Sequence, residues 1–185
     1  MDPEMKIDPD AELVVRVGKG DRAAAQALMA RHLPKMLTLA RRMLRDRTEA
    51  EDAVQEAFLR LWTHAARWRP GRAKFETWLY RVTLNQCYDR LRRKPALELE
   101  AAAHVVDPAP GPQAELENAG LAAEVDAALA QLPERQRAAI LLCHYHECGN
   151  IEAAEILGVS VEACESLLAR GRRTLRIKLA HLKDG

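Results

Sequence analysis

Three prolines within five residues, at 108–112, most tightly limit how this 185-residue chain can fold. Proline lacks a backbone N–H and clashes with the preceding helical turn, so this segment cannot lie inside a helix or a sheet. We predict a flexible, extended and partly disordered linker over residues 96–118. It separates residues 11–95 from residues 119–185, two domains that are each near the lower size limit for a self-sufficient core. Residues 1–10 are expected to be disordered.

Both predicted domains have the composition of helices. Ala, Leu, Arg and Glu dominate, and no stretch alternates apolar and polar residues with the period of two that strands require. We predict helices over residues 22–44 and 75–93. Another begins at a capping box, Thr48–Glu51, and places apolar residues at spacings of three and four: Ala53, Val54, Ala57, Phe58, Leu61 and Trp62. The predicted fold class is all-α, with two small helical domains.

The C-terminal half has the pattern of a helix-turn-helix. A short helix over 151–157 precedes a tight turn, Gly158–Ser160, and a longer helix over 161–182. The second helix would present its first residues to a major groove and its later arginines to phosphates: Glu162, Ala163, Glu165 and Ser166, then Arg170, Arg172, Arg173 and Arg176. The alternative interpretation is an ordinary helical hairpin with a solvated arginine face.

Charge is segregated along the chain, although Lys plus Arg number 28 and Asp plus Glu 27, for a net charge of +1. Residues 60–94 hold ten bases and two acids, residues 95–134 hold eight acids and no Lys or Arg, and residues 165–183 hold six bases and one acid. Blocks of one sign indicate electrostatic partners rather than a solvated helix face, on which the signs normally alternate.

Aromatic residues are concentrated in the first basic block. Seven of the eight lie between Phe58 and Tyr88, a combination that suits single-stranded nucleic acid because bases can stack while cations neutralise phosphates. Three of these rings we interpret as core: Phe58, Trp62 and Phe75. For three others, core packing and base stacking both remain open: Trp68, Trp78 and Tyr80. Asn85, a poor helix former in mid-helix, is either a base-reading amide or a plain surface residue.

Several stretches of these residues match one family. They are DAVQEAFLRLW at 52–62, FETWLYRVTLN at 75–85 with DRLRR at 89–93, LPERQR at 132–137, and EAAEILGVS at 152–160. The chain resembles an extracytoplasmic-function (ECF) sigma factor, the two-domain class of bacterial RNA polymerase initiation subunits. The first stretch is similar to the region-two helix that docks on the polymerase clamp, the next to the part that melts and reads the minus-ten element, and the last two to region four, which reads the minus-thirty-five element.

The resemblance implies three sets of site residues. Contacts to the clamp of the large polymerase subunit fall on Asp52, Gln55, Glu56 and Leu59. Minus-ten contacts fall on Lys74, Trp78, Arg81, Asn85, Arg90, Arg92 and Arg93. Minus-thirty-five contacts fall on Ser160, Glu162, Ala163, Glu165, Ser166, Arg170, Arg172 and Arg173. The acidic linker would then thread a positively charged channel.

The same resemblance implies core RNA polymerase, promoter DNA and an anti-sigma factor as partners. It implies no cofactor, no metal, no small-molecule substrate and no catalytic residue of the chain's own. The sequence departs from many relatives at Glu165 and Leu167, where they carry a basic residue. An arginine–guanine contact is worth about 1–3 kcal/mol, so either Ser166 and Arg170 carry more of the readout, or the promoter differs, or DNA shape is read.

One alternative is a metalloprotein. Cys143, His144, His146 and Cys148 place four potential ligands within six residues, but on one helix they spread around the axis, so a single tetrahedral site needs the helix to break. Redox sensing by these thiols would need an exposed thiol of low pKa. The plain interpretation is a buried Cys143 and histidines at a helix end.

A second alternative is an activator that binds DNA with the C-terminal module alone, beside a receiver or dimerisation domain; a receiver needs β-rich runs that do not occur here. The sequence carries no Gly-rich phosphate loop, nucleophile elbow or HExxH motif, so an enzyme is not expected. No apolar run reaches the roughly 18–20 residues of a membrane span, and residues 1–13 show no secretion signal. We therefore expect a cytoplasmic protein with free thiols and no direct membrane insertion.

Overall fold

The structure, a computed structural model, describes residues 8–71, 73–93 and 113–183. These residues form eight α-helices, one π-helical segment and one 3-10 segment, and contain no strand. In chain order they are α1 (Ala11–Gly18), α2 (Arg22–Leu44), α3 (Arg47–Ala65), α4 (Phe75–Arg93), α5 (Gln113–Ala130), α6 (Glu134–Ile140), the π-helical Leu141–Tyr145, α7 (Asn150–Leu157), α8 (Val161–Lys178) and the 3-10 Ala180–Lys183. The predicted all-α class is confirmed, and the chain divides near Arg90 into two compact units.

The first unit packs α1, α2 and α3 against one another. The apolar face of α3 is buried as predicted from Ala53 to Leu61. Trp62 corrects the prediction: it is 44 % exposed, because it lies about 100° of arc beyond Leu61, at the edge of the buried face. Helix α4 completes this core, and the Thr83 hydroxyl donates to the Met36 sulfur at 3.3 Å.

Aspartates begin two helices of the first unit. Asp21 accepts hydrogen bonds from the N–H groups at the start of α2, and Asp46 accepts one from the Glu49 N–H at 2.9 Å at the start of α3. The predicted capping box at Thr48 is therefore wrong, since α3 begins at Arg47 and Thr48 lies inside its first turn. Aspartate is a better N-cap residue than threonine, which explains why Asp46 rather than Thr48 caps α3.

The second unit packs α5, α6 and α7 against α8. Helices α6 and α8 approach closely at Gly171, where an added Cβ would lie 3.0 Å from Cγ1 of Ile140. The predicted helix-turn-helix is formed by α7, a turn and α8. Gly158 takes the left-handed conformation that the turn requires, with φ +65°, and the Ser160 hydroxyl accepts the Ala163 N–H at 3.1 Å to cap α8.

Two predicted segments fall partly outside the described residues: the disordered N-terminus, of which residues 1–7 lie outside, and the linker, of which residues 96–112 lie outside. At their edges the structure differs from the prediction. Asp8 and Asp10 are ordered by hydrogen bonds to the first unit. Residues 113–118 are the first turns of α5, which is possible because no proline follows Pro112 in that stretch.

The last helix also ends earlier than expected. Helix α8 stops at Lys178, and a 3-10 segment continues to Lys183. In the described ranges, none of the helices combines the length and apolarity needed to cross a membrane.

Candidate functional site

An exposed stripe runs along α3 on the side away from the core. Asp52, Gln55, Glu56 and Leu59 all lie on it, because spacings of three and four residues return to the same side of a helix. The structure therefore brings together all four residues predicted to contact the polymerase. Asp52 and Glu56 are like charges four residues apart, a pair that destabilises a helix by about 0.2–0.5 kcal/mol. A cationic partner bound to this face would offset that repulsion.

A groove of about 370 Å³ opens between α2 and α3 beside this stripe. Its walls are mainly apolar: Met29, Leu33, Leu37, Val54, Phe58, Leu59 and Trp62. Leu59 is 54 % exposed, so apolar surface faces water along the rim. Sequence reasoning missed the groove because Trp62 was assigned to the core. Two large apolar side chains, Leu59 and Trp62, near the polar side of one helix were the available signal.

The predicted minus-ten residues lie on a narrow strip of α4, because most of that helix is buried. Trp78, Arg81, Asn85 and Arg92 follow at spacings that keep them on one side, and three of them are exposed, with Trp78 half-buried. Arg93 is exposed at the helix end and Lys74 is half-buried just before the first turn. The exposed Asn85 amide therefore lies on the same side of α4 as Arg81 and Arg92.

Arg90 does not belong to this strip. Its side chain is 17 % exposed and donates to both the carbonyl and the side-chain oxygen of Gln86. Its Nε lies 3.3 Å from a carboxylate oxygen of Glu49, which ties α4 to α3. Arg90 therefore differs from the exposed cations of the α4 strip, because its guanidinium is held by contacts within the fold; its contact with DNA stays a prediction.

A cluster of rings surrounds Trp78. His64 stacks on it with centroids 5.1 Å apart and planes inclined by 10°, while Trp68 and Phe75 lie 6.1 and 5.8 Å away. Phe75 and Tyr80 are buried, so both are core residues. Trp68 and Trp78 are half-buried, so part of each ring faces solvent. His64 was missed because a single histidine on an exposed helix position gives no signal in sequence.

In the second unit, one exposed stripe of α8 carries part of the predicted minus-thirty-five set. Glu162, Ser166, Arg170 and Arg173 are exposed and lie within about 80° of arc. Ala163 is half-buried at the edge of the stripe. The order along α8, with short polar groups first and cations later, suits base contacts near the N-terminus and phosphate contacts beyond it.

Three other predicted residues have partners within the unit. The Ser160 hydroxyl caps α8, as described above. The Asn150 amide donates to a carboxylate oxygen of Glu165 at 3.3 Å, and Arg172 Nε donates to His144 Nε2 at 3.1 Å. The last two contacts join α8 to α7 and to the π-helical segment. All three residues remain exposed, and Glu165 and Arg172 lie beside the exposed stripe rather than on it.

The helix does break at the cysteine and histidine cluster. The π-helical segment ends at Tyr145, and Glu147 has φ +54°. The side chains nevertheless diverge, since His144 accepts from Arg172 and the Cys148 thiol lies 3.8 Å from the His146 carbonyl. Over residues 8–71, 73–93 and 113–183, no group of three or more His, Cys, Asp or Glu side chains could hold a metal ion.

All four cysteines are free thiols. Burial raises the pKa of the Cys143 thiol to about 11, and the neighbouring Cys164 thiol adds to the effect. Burial also raises the pKa of Cys164. Because the thiolate is the reactive form, these environments act against redox sensing, which needs a lowered pKa.

Comparison with known families agrees with this arrangement. Residues 28–95 match Sigma-70 region 2 and residues 122–175 match Sigma-70, region 4. The chain is 32% identical over 180 residues to ECF RNA polymerase sigma factor SigW of Bacillus subtilis, covering 91% of this chain and 96% of SigW. It is 35% identical over 168 residues to SigE of Mycolicibacterium smegmatis, covering 87% of this chain and 65% of that relative's length.

Solved structures show the same fold. CnrH in complex with the cytosolic domain of CnrY has a TM-score of 0.72 at 28% identity, over 93% of this chain and 97% of CnrH. RpoE from Bartonella quintana, solved with the anti-sigma factor NepR, has a TM-score of 0.67 at 21% identity and shares the fold, over 84% of this chain and 96% of RpoE. The resemblance drawn from sequence is confirmed, and the chain belongs to the sigma-70 family and, within it, to the ECF RNA polymerase sigma factors.

Proposed function

We propose that the chain joins core RNA polymerase and directs it to a subset of promoters as an alternative sigma factor. One observation supports this proposal: two compact units each carry an exposed helical surface with cations, the α4 strip in one and the α8 stripe in the other. A promoter with two elements needs two such surfaces in one chain. A DNA-binding activator with a phosphoacceptor receiver would need a parallel sheet, whereas the described part of the first unit is built from α1 to α4.

The α4 strip would open and read the minus-ten element. Arg81, Arg92 and Arg93 would neutralise phosphates of the separated strand. A base flipped out of the stack would lie against the rings around Trp78, a contact worth about 1–3 kcal/mol per base. The exposed Asn85 amide can then distinguish one base edge from another, which supports a reading role in addition to melting.

The α8 stripe would read the minus-thirty-five element in the major groove. Glu162 and Ser166 would meet base edges, and Arg170 and Arg173 would meet phosphates. Arg172 and Glu165 would flank this surface, held at its side by their contacts to His144 and Asn150.

The α3 stripe would dock on the polymerase. Asp52, Gln55 and Glu56 would face basic helices of the clamp of the large subunit, and Leu59 would bury its exposed surface there. The apolar groove beside Leu59 supports this reading, since a partner side chain that fills it removes apolar surface from water.

Control by an anti-sigma factor is part of the proposal. CnrH, 28% identical to this chain, was solved with the cytosolic domain of CnrY, which supports a protein partner of this kind. A partner that covers the α3 stripe would exclude polymerase by competition. The chain itself would supply no catalytic residue and take no small-molecule substrate, because polymerisation belongs to the core enzyme, and it would act in the cytoplasm, where that enzyme works.

The test is transcription in vitro with bacterial core polymerase over a promoter library, with start sites read by sequencing. The expected result is RNA from a subset of templates that share two spaced elements. A variant with Arg81→Ala and Asn85→Ala serves as the control, and should bind core polymerase yet lose start-site selection. If purified protein neither binds core polymerase nor gives selective starts, the proposal is overturned.

A further inference from the structure

The first turn of α4 is capped from a distant part of the chain. The backbone N–H of Phe75 donates to Oδ2 of Asp8 at 2.8 Å, across 67 residues of sequence. The local N-cap position is Lys74, whose carbonyl accepts the Trp78 N–H at 3.2 Å but whose side chain has no acceptor. Helix α4 therefore takes its cap from the N-terminal segment, whereas Asp21 caps α2 from the position directly before it.

The buried carboxylate of Asp10 holds the capping segment in place. Asp10 is 2 % exposed, and its Oδ2 lies 2.7 Å from Nε2 of His32, which is 1 % exposed. The Arg31 guanidinium pairs with the other oxygen of Asp10. The Asp10 N–H donates to Oδ1 of Asp8 at 3.0 Å, so the two aspartates are linked directly. A buried carboxylate that loses its partners is left uncompensated, which favours this position of the segment.

His32 also contacts the first turn of α4, which carries the start of the α4 strip. Its ring meets the Phe75 ring edge-on, with centroids 5.4 Å apart, and its Nδ1 lies 3.8 Å from a carboxylate oxygen of Glu76 that Lys35 also contacts at 2.6 Å. The Phe75 ring in turn packs 5.8 Å from Trp78. An unbroken series of contacts thus runs from the N-terminal segment to Trp78.

We propose that Asp8, Asp10 and His32 are positioning residues for promoter opening. They fix the first turn of α4 and the Phe75 ring, and so hold Trp78 where a flipped base would stack. The inference rests on the proposed function, and goes beyond it because none of the three residues lies on a surface assigned to DNA or polymerase. They act through Phe75.

The experiment compares three variants with wild type, each assembled with core polymerase into holoenzyme that is added at a concentration saturating the promoter DNA. Asp8→Ala removes both acceptor oxygens, and Asp8→Asn retains one, which can still cap the Phe75 N–H. Asp21→Ala removes the cap of α2 in the same unit as a matched control. Opening is measured by the fluorescence of 2-aminopurine in the minus-ten element. Asp8→Ala should lower the opening equilibrium by up to about fivefold, since an N-cap is worth about 1 kcal/mol and 1.4 kcal/mol is tenfold. Asp8→Asn and Asp21→Ala should stay within about twofold of wild type.

Amide hydrogen exchange gives a second readout that a general loss of stability would not reproduce. Exchange at Phe75 should become faster in Asp8→Ala, but not in Asp8→Asn or Asp21→Ala. If Asp8→Ala opens promoters as well as Asp21→Ala does, while wild type opens them normally, the positioning role is wrong and the proposed function stands. If wild-type holoenzyme opens no promoter, both fall.

Discussion

Truncation of Leu59 tests the polymerase surface with a magnitude that the structure supplies. Leu59 lies at the rim of the α2–α3 groove and is 54 % exposed. Full burial of a leucine is worth about 1.5–3 kcal/mol, so its exposed part stands to gain about 0.8–1.6 kcal/mol when a partner covers it. Leu59→Ala should therefore raise the Kd for core polymerase about 4–15-fold.

The assay is a titration of fluorescently labelled protein with core polymerase, followed by anisotropy. Because part of Leu59 is already buried, the same change should lower the free energy of unfolding by about 0.7–1.4 kcal/mol, which denaturant melts will measure. Leu59→Met keeps the apolar volume and serves as the matched control. It should bind within about twofold of wild type.

Affinity and stability together decide the outcome. A Leu59→Ala protein that loses the expected unfolding free energy but binds core polymerase like wild type would show that Leu59 does not face the polymerase. The assignment of the α3 stripe to the clamp would then rest on its carboxylates alone.

Three further predictions follow from the surfaces and the thiols. The double variant Asp52→Lys, Glu56→Lys should weaken binding to core polymerase at least about tenfold at low salt, and less at high salt. Its free energy of unfolding should stay within about 0.5 kcal/mol of wild type, because both side chains are exposed. Unchanged affinity would contradict the assignment of α3 to the clamp. In single-round transcription, Asn85→Ala should lower initiation at cognate promoters about 5–150-fold more than at mismatched ones, because that factor corresponds to the free energy of a specific base contact. An equal loss at both kinds of promoter would exclude base reading by Asn85. Cys143 is half-buried and its pKa is raised to about 11, so the folded protein holds a protonated thiol at pH 8. Iodoacetamide should label it at least about 100-fold more slowly than in the unfolded chain; equal rates by peptide mass spectrometry would contradict the raised pKa.

Much of the helical plan could be predicted because its signals are local. The bounds of α2 and α4 match the residues predicted, 22–44 and 75–93, since loop residues and Pro95 punctuate the chain there. The turn between α7 and α8 was found because Gly158 and Ser160 meet requirements of backbone geometry and capping. Helix α5 was not predicted, because the linker predicted for residues 96–118 extends the effect of the prolines six residues beyond Pro112.

The candidate surfaces were predictable to the extent that helical spacing defines them. The α3 stripe and the α4 strip follow from positions three and four residues apart, and the structure brings these residues together. The positions of Arg90 and Arg172 could not be predicted in this way, because their partners, Glu49 and His144, come from other helical segments. The cap that Asp8 gives to Phe75 spans 67 residues, and no pattern within one helix reports such a contact.

Gly171 has a consequence for how promoter preference can change. It lies on the back of α8, and any side chain there must displace either Ile140 or the helix itself by a few tenths of an ångström. Arg170 and Arg173, on the exposed side of the same helix, would shift with it while keeping their identity. Under the proposed function, a single added methyl group would retune selectivity without altering any residue proposed to face DNA, so two relatives with identical residues on that face need not share a target sequence.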